Sequence, residues 1–108
     1  MREHLIQQMI LARLGSVHGL TLWRNNTGAM RDARGQLVKF GSPGSADLLG
    51  LVAPDGRFVA IEVKAAGGRQ TALQLSWQRM VERHGGLYIV ATSADEAVQG
   101  LVTHGIAC

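Results

Sequence analysis

Two apolar runs, Leu48 to Ala53 and Phe58 to Val63, flank Pro54-Asp55-Gly56-Arg57. Asp-Gly between such runs is a strong local signal for a β-hairpin. A hairpin constrains the chain more than any other feature here, because it decides which side chains share a face. Residues two apart on a strand point the same way, so Glu62 and Lys64 do. An even connection, either Asp55-Gly56 alone or Pro54 to Arg57, sets Asp47 opposite Lys64. Asp47, Glu62 and Lys64 then form one cluster on one face. A three-residue loop would turn Asp47 to the other face. Charge at the ends of otherwise apolar strands is costly, since an unpaired ion loses its hydration there. Three charges kept in such a place suggest a site.

Two carboxylates and an ammonium on neighbouring strands suit a hard cation. Mg²⁺ prefers oxygen ligands, keeps several waters and takes one or two protein carboxylates together with phosphate oxygens. A lysine beside it can orient or deprotonate a water, or neutralise phosphate charge. Spacing alone leaves a second reading open: a cross-strand ion pair, Asp47 with Lys64 or Glu62 with Lys64.

The rest of the chain supplies further candidates. Residues 2 to 14 predict an amphipathic helix closed by Gly15, with Leu5, Ile6, Met9, Ile10 and Leu14 as its apolar stripe. Glu3 falls inside that arc with Gln7 beside it; it either favours the helix dipole or serves as a third acid. Leu20 to Trp23 reads as a strand, followed by the polar, turn-prone Arg24 to Gly28. Arg31, Arg34 and Lys39 surround a turn at Arg34-Gly35, with Gln36 to Phe40 as a further strand. With Arg24 they make the densest basic segment, opposed only by Asp32: a solvated loop, or a clamp on a phosphate backbone. Gly41-Ser42-Pro43-Gly44-Ser45 is a loop entering the Asp47 strand. It lacks the Gly-Lys-Ser/Thr of a nucleotide-binding loop, and its glycines would let a nucleic-acid backbone approach closely. Thr71-Ala72-Leu73-Gln74 is a capping box opening a helix to about His84, with Leu73, Trp77, Met80 and Val81 facing inward. Leu87 to Ala91 reads as a strand buried on both faces, and Ser93 to Glu96 as a second capping box.

Taken in order, Gly-Ser-Ala-Asp, a hairpin and Ile61-Glu62-Val63-Lys64 resemble the D…(D/E)xK motif of the restriction-endonuclease-like nucleases. With Glu3 and Ile6-Gln7 on a first helix, Asn26 with Gly28, and Gln74 three before Trp77, the pattern resembles the VRR-Nuc family in its small stand-alone form, over about residues 3 to 97. One departure is Ala46, where that family usually has proline. The resemblance implies an α/β fold: a restriction-endonuclease-like core whose mixed central sheet is flanked by helices. It implies a divalent-metal-dependent DNA endonuclease using Mg²⁺ or Mn²⁺, structure-selective in the manner of Holliday-junction resolvases, and a homodimer. Asp47 and Glu62, with the Val63 carbonyl, would hold the metal. Lys64 would position the water, Glu3 would support the acids, and Gln74 would lie near the lysine, a role that stands beside its capping one. Asn26, Arg24, Arg31, Lys39 and Ser45 would meet the nucleic acid. A catalytically silent nucleic-acid-binding module of the same fold, and a structural subunit whose charges are ion pairs, are the alternatives.

The bulk numbers fit one domain over residues 1–108. A hydrophobic fraction of 46% with 14 glycines excludes a disordered chain. A net charge of +3 is compatible with a polyanionic partner. The single cysteine, Cys108, permits no intrachain disulfide. No apolar run approaches the roughly 18 residues of a membrane span. MREHLIQQ lacks the apolar core of a signal peptide, so the expected location is cytoplasmic.

Overall fold

Arg57–Val63 is the longest strand of the molecule and the axis of its main sheet. The computed structural model describes residues 1–108, the side chain of Phe40 excepted. Its elements are α1 (Glu3–Leu14), β1 (Leu20–Arg24), β2 (Gly28–Arg31), β3 (Leu37–Phe40), β4 (Leu48–Val52), β5 (Arg57–Val63), α2 (Ala72–Arg83), β6 (Leu87–Ala91) and α3 (Ala94–Thr103). The sheet order is β1-β4-β5-β6, with β2 and β3 in a separate two-stranded sheet. β1, β4 and β5 run antiparallel and β6 pairs parallel to β5. A parallel neighbour needs a crossover, which α2 supplies.

The sheet is covered on both faces, which gives the expected mixed α/β architecture. On one face α1 and α3 pack against Leu48, Val59, Ile61, Val63, Leu87 and Ile89 through Ile6, Ile10, Leu14 and Leu101. Burying side chains of this size stabilises the fold by about 1.5–3 kcal/mol each. On the other face α2 places Val81, with Trp77 and Met80, against Ala46, Ala60 and Tyr88. No helix is long and apolar enough to cross a membrane.

Three expectations need correcting. The buried line on α1 is only Ile6, Ile10 and Leu14, while Leu5 and Met9 are exposed. The helix touches the sheet along one i, i+4, i+8 row, and the neighbouring row points past it. On α2, Leu73 is exposed; its backbone abuts Gly44 instead. On β6, Val90 is exposed while its neighbours are buried, because it lies at the open end of the α2 face, paired with Glu62. β2 is an addition: Gly28-Ala29-Met30-Arg31 has no alternation to announce a strand, yet it pairs with β3 around the expected turn. Asp32 closes that turn by accepting the Arg34 and Gln36 N–H groups.

Candidate active site

The β4–β5 turn is even, as the clustering of the three charges requires, but its register differs by two residues from the expectation. Val52 pairs with Arg57 and Leu48 with Ile61, so Asp47, continuing that ladder, lies opposite Glu62 instead of Lys64. The turn therefore comprises Ala53 to Gly56. Pro54 has no N–H to give a ladder, Ala53 donates outward to the Gly19 carbonyl, and the Gly56 N–H closes on the Val52 carbonyl at 3.0 Å. A slip of two keeps every side chain on its face, so the three groups still converge.

Glu62 and Lys64 are the buried charged side chains among the described residues, at 2% and 9% exposure. The Val63 N–H donates to Asp47 Oδ2 at 2.7 Å, which fixes the aspartate at the head of β4. Lys64 Nζ stands 3.9 Å from Glu62 Oε2, a loose ion pair. Gln74 caps α2 and also reaches the acids: its Oε1 accepts the Thr71 N–H at 2.8 Å while its Nε2 donates to Glu62 Oε2 at 3.1 Å. Glu3, at the start of α1, accepts the Ala65 N–H at 3.4 Å and lies at the outer rim.

Glu62 Oε1 is buried with no hydrogen-bond partner. Two facing carboxylates need either a shared proton or a cation between them. Burial, then the neighbouring Asp47 charge, push the Glu62 carboxyl up to about 8, against the pull of Lys64. A hard cation would replace that proton, and a pair of carboxylates meets the modest protein-ligand demand of Mg²⁺. No larger group of acidic, histidine or cysteine side chains with metal-binding geometry occurs among the described residues. Tyr88 lies nearby on the same face; burial first and Glu62 second push its hydroxyl up to about 12, so it stays neutral.

Sequence reasoning selected Asn26 and missed Asn25. Asn26 is exposed in the link to β2. Asn25 is half-buried and grips the approach to the aspartate: its Nδ2 donates to Ser45 Oγ at 2.8 Å and to the Ala46 carbonyl at 2.9 Å. Its backbone N–H donates to the Asp47 carbonyl at 2.8 Å. Adjacent asparagines offer no local signal to choose between them. Ser45 is thus partly engaged within the fold. Arg24 pairs with Leu48, which packs towards α1 and α3, so its place in the pleat is opposite that of Asp47. Arg31 and Lys39 sit on the β2–β3 hairpin, Lys39 beside its root in a hollow that Ser45 also lines.

The sequence profile of the VRR-NUC domain matches residues 1–95 of this chain. The chain belongs to the VRR-NUC domain family. A solved structure described as a VRR_NUC domain superposes with a TM-score of 0.64 at 21% identity, covering 94% of this chain and 95% of the other. That likeness shows a VRR-NUC fold. No curated protein matches the chain. VRR-NUC domains are nuclease-like, and the acids described above occupy one end of that shared fold.

Proposed function

We propose that the protein is a divalent-metal-dependent DNA endonuclease that hydrolyses phosphodiester bonds. The observation that carries the reading is a buried glutamate facing a second carboxylate with one oxygen unmet, beside a buried lysine. Asp47 and Glu62 would hold Mg²⁺ or Mn²⁺, with the Val63 carbonyl as a further oxygen. When bound, such an ion polarises a phosphodiester oxygen and acidifies water. Lys64 orients the attacking water and balances charge on the phosphate. Gln74 holds one Glu62 oxygen in place, so the other faces Asp47. Glu3 supports the pair from the rim, through water. Asn26, Arg31, Lys39 and Ser45 contact the nucleic acid; Arg24, from the opposite side of the pleat, would reach only a strand that wraps the edge of β1.

The finer reading is structure selectivity of the junction-resolving kind, by a homodimer with two sites. A domain this small has little surface with which to hold a branched substrate alone. The test is cleavage of four-way junctions, flaps and linear duplex in parallel, with Mg²⁺ or Mn²⁺. Asp47→Ala and Lys64→Ala are each expected to lose cleavage while keeping native circular dichroism. Undiminished cleavage by the double variant overturns the proposal. A monomer at micromolar concentration would remove the junction reading and leave metal-dependent cleavage standing.

A further inference from the structure

The β2–β3 hairpin has no ladder with the main sheet. It exposes Met30, Leu37 and Val38 at 62%, 57% and 43%. Two strands alone in water are marginally stable, so such an element is built to meet a partner. The molecule is correspondingly long, 48 × 31 × 25 Å.

The two faces of the ribbon differ. Ala29 opposes Lys39, Met30 opposes Val38 and Arg31 opposes Leu37. Directly opposed residues share a face and successive pairs alternate. Arg31 and Lys39 therefore lie on one face, which they share with Ala29 and Leu37, Met30 and Val38 lie on the other, and Arg34 lies near the tip. The only acid of the hairpin, Asp32, is engaged by the Arg34 and Gln36 N–H groups. Arg31 donates one guanidinium N–H to the Gly35 carbonyl at 2.8 Å, which holds the group along the ribbon and leaves its other donors. The root is fixed beside the acids. Asn25 ties the start of the link to the Asp47 carbonyl. At the other end Gly41, at φ +84°, lies so near Thr27 that a Cβ there would stand 2.5 Å from its Cγ2. A hollow of about 230 Å³ lined by Thr27, Lys39, Ser42 and Ser45 runs from this root.

We propose that the hairpin is an arm that grips the duplex flanking the scissile phosphate, its Arg31–Lys39 face laid against the phosphates of the major groove. The proposal rests on the nuclease reading and adds to it the surface that holds the substrate. Three cations without a free acid complement a polyanion. A two-stranded ribbon is a shape the major groove admits, and a single strand has no groove. Four-residue strands reach about 14 Å from the root, or about 4 base pairs of duplex.

The test measures binding of a fluorescent duplex and of a single strand of equal length, with Ca²⁺ present to hold off cleavage, over a range of salt. Arg31→Gln/Lys39→Gln is expected to lose about tenfold or more in duplex affinity and to lower the salt slope by about 2, with single-strand binding much less affected. Calorimetric titration with Mn²⁺ at the acidic pair should match the wild type, which verifies folding. Unchanged duplex affinity and slope, or an equal loss on the single strand, overturns the proposal. So does a Met30→Ser/Val38→Ser variant that dissociates a dimer while the charge variant binds duplex normally, which would assign the arm to a second copy. If the wild type cuts nothing but the charge variant still loses duplex affinity, the arm stands and the nuclease reading falls.

Discussion

Ile61 and Glu62 are consecutive residues on β5, both buried, and they serve opposite ends. Ile61 faces α1 and α3 in a dry apolar layer where each methylene removed from water adds stability. Glu62 faces the α2 side, where it loses hydration and gains only Gln74, a distant Lys64 and a like-charged neighbour. One face of the strand is optimised for folding. The other holds chemistry that costs stability until a cation arrives.

Paired substitutions break this contrast most directly. Ile61→Ala should cost about 2–5 kcal/mol in chemical denaturation, while its folded fraction cleaves as the wild type does. Glu62→Gln should reduce cleavage to background and leave the metal-free protein at least as stable as the wild type, because a neutral amide is cheaper to bury. A Glu62→Gln protein as unstable as Ile61→Ala would mean that the two faces are alike. Asn25→Ala comes next. It releases the Ser45–Ala46 segment and should lower kcat and Mn²⁺ affinity by about 10–100-fold, the range for groups that orient metal ligands, with little change in melting temperature. An Asn25→Ala enzyme with normal Mn²⁺ affinity would remove its positioning role.

The pH dependence sharpens the contrast further. The folded-state Glu62 carboxyl titrates near 8, above its ordinary value of 4.5. Between those values the folded protein holds a proton that the unfolded chain has released, so stability falls as pH rises through that window. Melting curves of the metal-free protein should show this decline, and Mn²⁺ or Glu62→Gln should flatten it. A flat profile in the metal-free wild type would contradict the strain on this pair. The smallest effect belongs to Gln74. Gln74→Ala loses the capping contact to Thr71 and should cost about 1 kcal/mol. Gln74→Glu keeps the capping box but sets a third carboxylate near Glu62, so its pH–rate profile should move to higher pH with little loss of stability. Identical pH–rate profiles for Gln74→Glu and wild type would confine Gln74 to capping.

The cluster was legible in the sequence because face depends only on the parity of the turn. Asp47, Glu62 and Lys64 meet whether the ladder closes at Val52–Arg57 or one step further on. The same parity hid the register, since a slip of two leaves no trace in the apolar pattern. Gln74 was legible as a cap from local spacing, and its bond to Glu62 follows only from the way α2 crosses the sheet. Asn25 was not legible: its partners lie about twenty residues away, and nothing local distinguishes it from Asn26. The β2 strand and the exposed Leu73 escaped for a related reason, being decided by what the rest of the fold leaves uncovered.

The Ala53–Gly56 turn lies at the far end of the β4–β5 hairpin from the acids, yet its length governs them. Additions or deletions in even steps, if passed down the ladder, keep every side chain on its face. An odd step so transmitted would swing the aspartate into the layer of α1 and α3, so any single-residue change must be absorbed within the loop itself. Natural single-residue variation at this remote corner should therefore leave the Val52–Arg57 closure in place and change only the loop beyond it.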